Sequence, residues 1–182
     1  MPDDNWWSDI QKNNFVKTFH NWGELYKIEF ELTVTSLPSV NLTNVFHLSD
    51  SSPDDECQNL DLECKRIPAV FIYLRENGKP PGIGFHSFFN GFDNIILRKF
   101  EVGKPNQITI QQYRKDGHVY FGLSMNNGTF DFVEENKQPN NFPCIYLYAS
   151  DPWHAPFTSN FGTLRNVKIQ QGVLDDEENS YL

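Results

Sequence analysis

The sequence predicts an all-β chain folded as two antiparallel sheets packed face to face. Aromatic residues make up 15% of it, 16 of them Phe, which favours pleated strands over helices. Apolar runs recur with a period of two, and clusters of Gly, Pro, Asn and Asp separate them. At 182 residues and 21.2 kDa the chain is long enough to bury one core without disulfides. No internal repeat or linker marks a second domain, so the expected division is an N-terminal arm over 1–14, a sandwich over 15–172 and an acidic tail over 173–182.

The first element is "LYKIEFELTV", which alternates Leu25, Lys27 and Glu29 against Tyr26, Ile28, Phe30, Leu32 and Val34. One row faces a core and the other, largely polar, faces water. Similar runs follow at "NVFHL", "PAVFIYL", "GIGFHSFF", "NIILRKF", "QITIQQY", "VYFGLSM", "TFDFV", "CIYLYA" and "TLRNVKI". Turns are read at "ENGKPPG", "NGFD", "VGKPN", "KDG" and "NNG". Asn127-Gly128 is the strongest hairpin signal, because a type I′ turn needs positive φ at both central positions, and Lys115-Asp116-Gly117 is a second. About ten short strands at this spacing give a sandwich or jelly roll.

The formal net charge of -9 and a pI near 4.9 repel phosphate backbones and anionic lipid, and no basic cluster reverses this locally. Nucleic acid is therefore excluded as a partner. No apolar stretch reaches the roughly 20 residues of a bilayer span. The opening "MPDDNWWSDI" has neither the basic end nor the apolar run of a signal peptide. The chain is read as secreted, with its leader absent from the sequence. Cys57 and Cys64 bracket "QNLDLE" closely enough to close a small disulfide ring, while Cys144 opens an apolar strand as a small buried hydrophobe. Asn41 and Asn127 head sequons that would be surface glycosylation sites outside the cell.

The order of "WGELYKIEFELTVTSLP", "NVFHLS", an acidic Cys-bearing loop, "RIPAVFIYL", "VGKPNQITIQQY", "YLYASDPWHAP" and "GTLRNVKI" resembles a concanavalin A-like, laminin-G-like jelly-roll module of invertebrate extracellular proteins. The resemblance runs from Trp22 to Gln170. It implies a curved sandwich and a role in adhesion or ligand recognition, with Ca²⁺ at the sandwich rim in some members. Lys65 stands where the family carries an acidic residue ahead of "RIPA".

A retaining glycoside hydrolase needs two carboxyl groups about 5 Å apart, and "TFDFVE" places Thr129 where the first glutamate of E-x-D-x-x-E would stand. His20, His47, His86, His118 and His154 lie in separate segments with no zinc or nucleophile motif, and each reads as a strand residue with a satisfied ring. The acidic loop from Ser49 to Glu63 offers oxygen ligands for Ca²⁺, so the expected metal site uses Asp50 or Asp54, with Asp151 from the rim. Aromatic residues beside polar ones suit a sugar ligand: Trp153, His154, Phe157 and Asn160 in one loop, and Phe88, Phe89, Asn90, Phe92 and Asp93 in another. For Trp153 the favoured reading is a plug for the end of the core, held by Pro152 and Pro156. In "FHSFFNGF", alternation buries either Phe85 with Ser87 and Phe89, or His86 with Phe88. The Trp6 and Trp7 arm could latch onto the chain's own sandwich or onto a second copy.

The function expected from these residues is non-enzymatic extracellular recognition or adhesion, with a glycan or protein ligand and possible Ca²⁺ assistance. A structural, self-assembling subunit held through the Trp arm is the alternative, and a glycoside hydrolase is a distant third.

Overall fold

A computed structural model describes residues 6–9, 15–38, 42–52, 65–74, 80–126, 128–150 and 161–172. They form twelve strands: β1 (Trp6–Asp9), β2 (Phe15–Trp22), β3 (Tyr26–Val34), β4 (Leu42–Ser49), β5 (Arg66–Tyr73), β6 (Gly82–Phe89), β7 (Phe92–Lys99), β8 (Pro105–Lys115), β9 (His118–Met125), β10 (Phe132–Glu135), β11 (Phe142–Tyr148) and β12 (Gly162–Gln171). No helix occurs among the described residues. One six-stranded sheet runs β1-β12-β3-β8-β9-β10 and the other β2-β11-β4-β5-β6-β7, antiparallel throughout.

The period-two reading of β3 holds residue by residue: Tyr26, Ile28, Phe30, Leu32 and Val34 are buried and the residues between them are half-exposed. The core lies between the sheets. Phe30 stacks on Phe46 with ring centroids 5.4 Å apart, and Phe89 on Phe121 at 4.9 Å, so each pair joins a strand of one sheet to a strand of the other.

Two expected turns differ in outcome. Asp116-Gly117 closes β8 onto β9 with φ of 50° and 82°, pairing Lys115 with His118, as a type I′ hairpin requires. Asn90-Gly91 does the same for β6 and β7, with φ of 55° and 87° and Phe89 paired with Phe92. After Met125, by contrast, β10 begins only at Phe132. Phe130 stacks on Tyr113 at 5.6 Å and lies against the bare face of Gly122, so the connection is wide enough to fold that ring back over the sheet. Asn127 itself is outside the described residues.

Two strands were not read from the sequence. β2 is the edge of its sheet, and Thr18, Phe19 and His20 give it no clean alternation. The arm contributes β1, whose backbone pairs with β12 and shifts register between Trp6 and Ser8.

The central strands of the β5 sheet are buried on both faces: every residue of Thr43–Ser49, Ile67–Ile72 and Gly82–Ser87 is buried. Ile67, Val70, Ile72, Ile83, Phe85 and Phe89 belong to the core cluster. The intervening Ala69, Phe71, Tyr73, His86 and Phe88 therefore face away from it. This outer face carries the site described next.

Candidate functional site

Buried polar residues on an outer sheet face call for an account, because polar groups are seldom removed from water without partners. Here Asn44, His47 and His86 are buried together with Phe71. Phe71 lies at the centre: its ring centroid is 4.7 Å from that of His86 and 6.4 Å from that of His47, and the Arg66 guanidinium carbon lies 5.7 Å over it. Asn44 is the register partner of Phe71 on β4 and donates from Nδ2 to His47 Nδ1 at 2.8 Å.

From this cluster a relay runs to the sheet edge. The Tyr73 hydroxyl bonds to His86 Nε2, and His86 Nδ1 bonds to Asp93 Oδ2 at 3.0 Å. Arg66 Nη1 meets the same oxygen at 2.5 Å. An Asp93 carboxylate that accepts from Nδ1–H leaves Nε2 as the acceptor for Tyr73. Register brings these groups together: Ala69 pairs with His86, and Tyr73 with Gly82, so the Tyr73 ring crosses Gly84 to reach His86. On the other side Phe88 pairs with Asp93 and His86 with Ile95, which sets Asp93 diagonally beside His86.

The surroundings keep Asp93 ionised and Tyr73 neutral. Burial alone would push the Asp93 carboxyl up, but the hydrogen bond and attraction of His86, joined by Arg66, hold it below the usual carboxylate range. Burial raises the Tyr73 phenol, with Arg66 opposing and Asp93 assisting, so Tyr73 is a neutral donor at physiological pH. Two buried atoms beside Phe71 have no hydrogen-bond partner among the described residues: Arg66 Nε, a donor, and Asn44 Oδ1, an acceptor. The Arg66 side chain is only 11% exposed.

The residues singled out from sequence fall in several places. Phe85, Ser87 and Phe89 point inward, so Phe88 and His86 take the outer face. Lys65 Nζ stands 5.1 Å over the Phe88 ring and 5.5 Å over Phe142. Asn90 occupies the β6–β7 turn, where its Oδ1 accepts from Lys137 N–H at 2.7 Å and its Nδ2 donates to Glu135 O at 2.9 Å. Asp50 Oδ1 accepts from Lys65 N–H at 2.9 Å, tying together the ends of the acidic loop, and burial raises its carboxyl against that bond and the Lys65 charge. Among the described residues no three His, Cys, Asp or Glu side chains cluster to hold a metal ion. Cys144 is half-buried, with Sγ 3.3 Å from His20 Nδ1, rather than a core hydrophobe. Trp153, His154, Phe157, Asn160, Asp151, Asp54, Cys57, Cys64, Asn41 and Asn127 lie outside the described residues.

Several solved structures share this architecture. A heptameric SAP-like pentraxin from Limulus polyphemus matches at TM-score 0.54 and 13% identity over 91% of this chain and 72% of its own. An alginate lyase from Pseudomonas aeruginosa matches at 0.51 and 12%, over 84% and 68%. The PL7 alginate lyase of Zobellia galactanivorans matches at 0.51 and 11%, over 84% and 65%. The fold is a concanavalin A-like jelly roll. No protein-family model matches the sequence, and no curated protein matches it.

These comparisons correct one expectation. The missing carboxylate pair and the scattered histidines point to a non-enzyme, yet this jelly roll is the scaffold of alginate lyases as well as of a pentraxin. Paired carboxylates test for hydrolysis alone, and scattered positions in sequence do not prevent Tyr73, His86 and Asp93 from meeting across three strands. Among the described residues no helix is long and apolar enough to cross a membrane.

Proposed function

We propose that the protein acts outside the cell on a polysaccharide bearing carboxylate groups, bound along the outer face of β4 to β7, and cleaves it by elimination. The observation that carries this reading is the Tyr73–His86–Asp93–Arg66 relay beside two unsatisfied buried polar atoms. A sugar hydroxyl both donates and accepts, so a bound sugar ring can satisfy Arg66 Nε and Asn44 Oδ1 together. Elimination next to a carboxylate needs a proton acceptor, a proton donor for the departing oxygen and a donor group at the carboxylate. His86 Nε2 takes the carbon-bound proton once substrate displaces the Tyr73 hydroxyl. The electron pair becomes the new C=C bond as the glycosidic C–O bond breaks, and Tyr73 protonates the leaving oxygen. The alginate lyases with this fold supply the precedent for the substrate class.

The test is a panel of acidic and neutral polysaccharides, alginate included, followed through the ultraviolet absorbance of unsaturated sugar ends. The wild type should generate that signal on an acidic polymer. Tyr73→Phe and His86→Asn, each checked for folding by circular dichroism, should lower the rate by about 10²–10⁴. Absence of cleavage on every acidic polymer, or a Tyr73→Phe rate equal to wild type, overturns the proposal.

A further inference from the structure

The edge strand β7 has an apolar middle, Ile95, Ile96 and Leu97, between charged ends. Among the described residues it pairs only with β6. Natural edges are kept apart by short strands, prolines, bulges or charged side chains. The sequence of β7, "FDNIILRK", has eight residues, no proline, and charges only toward its ends. Phe92, Ile95 and Leu97 are 60%, 55% and 38% exposed. Because the hairpin closes on the Phe89–Phe92 pair, the backbone groups of Phe92, Asn94, Ile96 and Arg98 turn toward β6, and those of Asp93, Ile95, Leu97 and Lys99 turn toward the open edge. The Leu97 carbonyl accepts from Arg98 Nη1 at 3.0 Å and keeps a second lone pair.

We propose that this edge pairs with the β7 edge of a second copy, antiparallel, about a two-fold axis at Ile96. Continuing the sheet requires core-facing residues to meet core-facing residues, so only same-parity registers are allowed. With the axis at Ile96, Ile95 lies opposite the partner's Leu97, and Asp93 opposite the partner's Lys99. With the axis at Ile95, Asp93 faces the partner's Leu97. With the axis at Leu97, Ile96 faces the partner's Arg98. The Ile96 register alone of these three matches apolar with apolar and acid with base. It also places the partner's Lys99 beside the carboxylate that holds His86 and Arg66. The arm is not needed for this contact, since the backbone of β1 pairs within its own sheet.

Sedimentation equilibrium of the full chain tests the proposal, whatever the relay catalyses. A monomer–dimer equilibrium is expected, and Leu97→Glu and Lys99→Glu should each raise the dimer Kd about tenfold or more while melting temperature and near-ultraviolet dichroism stay native. Combining Asp93→Lys with Lys99→Asp should recover dimer relative to either change alone. In a Cys144→Ser background, mixing Ile95→Cys chains with Leu97→Cys chains should give a cross-linked heterodimer joined through those two positions, and neither chain alone should cross-link. A wild type that is monomeric at every soluble concentration overturns the proposal. So does a dimer indifferent to both Leu97→Glu and Lys99→Glu, or cross-linking of Ile95→Cys chains to each other in preference to the mixture.

Discussion

Gly84 is bare on the outer face because the Tyr73 ring lies across it: a Cβ there would stand 2.1 Å from Tyr73 Cε2 and 3.2 Å from Leu97 Cδ2. One methyl group therefore decides whether Tyr73 reaches His86. Gly84→Ala should displace the ring, cost about 1–3 kcal/mol in urea unfolding, and reduce turnover as Tyr73→Phe does. Native stability with full activity would show that the ring has room to shift. Asp93 gives a pH dependence of definite sign. Its carboxyl titrates lower in the folded protein than in the unfolded chain, through His86 and Arg66 acting against burial. The folded state thus gains stability from it above the unfolded carboxylate pKa of about 3.9, and loses that gain as pH falls through the lower folded value. Asp93→Asn should flatten the acid limb of unfolding free energy against pH, measured between about pH 2 and 6, and leave the limb above neutrality unchanged.

At the scale of elements, the β6–β7 hairpin is tied to the opposite sheet. Asn90, at φ 55°, bonds to Lys137 N–H and Glu135 O, and Arg98 grips Asp131 Oδ1 at 2.9 and 3.2 Å. Asn90→Ala removes these side-chain bonds and leaves a left-handed conformation that alanine resists. It should cost about 1–3 kcal/mol, whereas Asn90→Gly keeps the turn and loses only the bonds. Equal costs for the two in denaturant unfolding would remove the backbone contribution from this account.

The strands were readable where one face is wet, as in β3, because burial imposes a period of two on residue choice. β2 escaped because an edge strand pairs on one side only and tolerates polar residues at most positions. The relay escaped for a different reason: Tyr73, His86 and Asp93 are adjacent only through cross-strand register. Part of that register was nevertheless available. The Asn90-Gly91 turn fixes Phe88 opposite Asp93, and alternation then puts His86 and Asp93 on one face. A second signal was His47 and Asn44 within a run buried throughout, where polar residues mark a site rather than a solvated face.

At the scale of the whole molecule, the two sheets depend on a core that joins them ring to ring. Phe30, 2% exposed and stacked on Phe46 across the sandwich, is a sensitive probe of that dependence. Phe30→Ala should cost about 3–5 kcal/mol, lowering the urea midpoint without changing its slope if the sheets unfold together. A biphasic transition would mean that each sheet has stability of its own.

The position of β12 has a consequence for the timing of assembly. It lies between β1 and β3, so β1 has no partner strand until Gly162–Gln171 has been made. β2 likewise waits for β11. The strands between them need not wait: β3 pairs with β8, and β4 to β7 pair in sequence order, so the middle of both sheets can close before β11 and β12 are made. Assembly thus closes from the middle of the sandwich outward, and β1 and β2 are the last strands to find a partner.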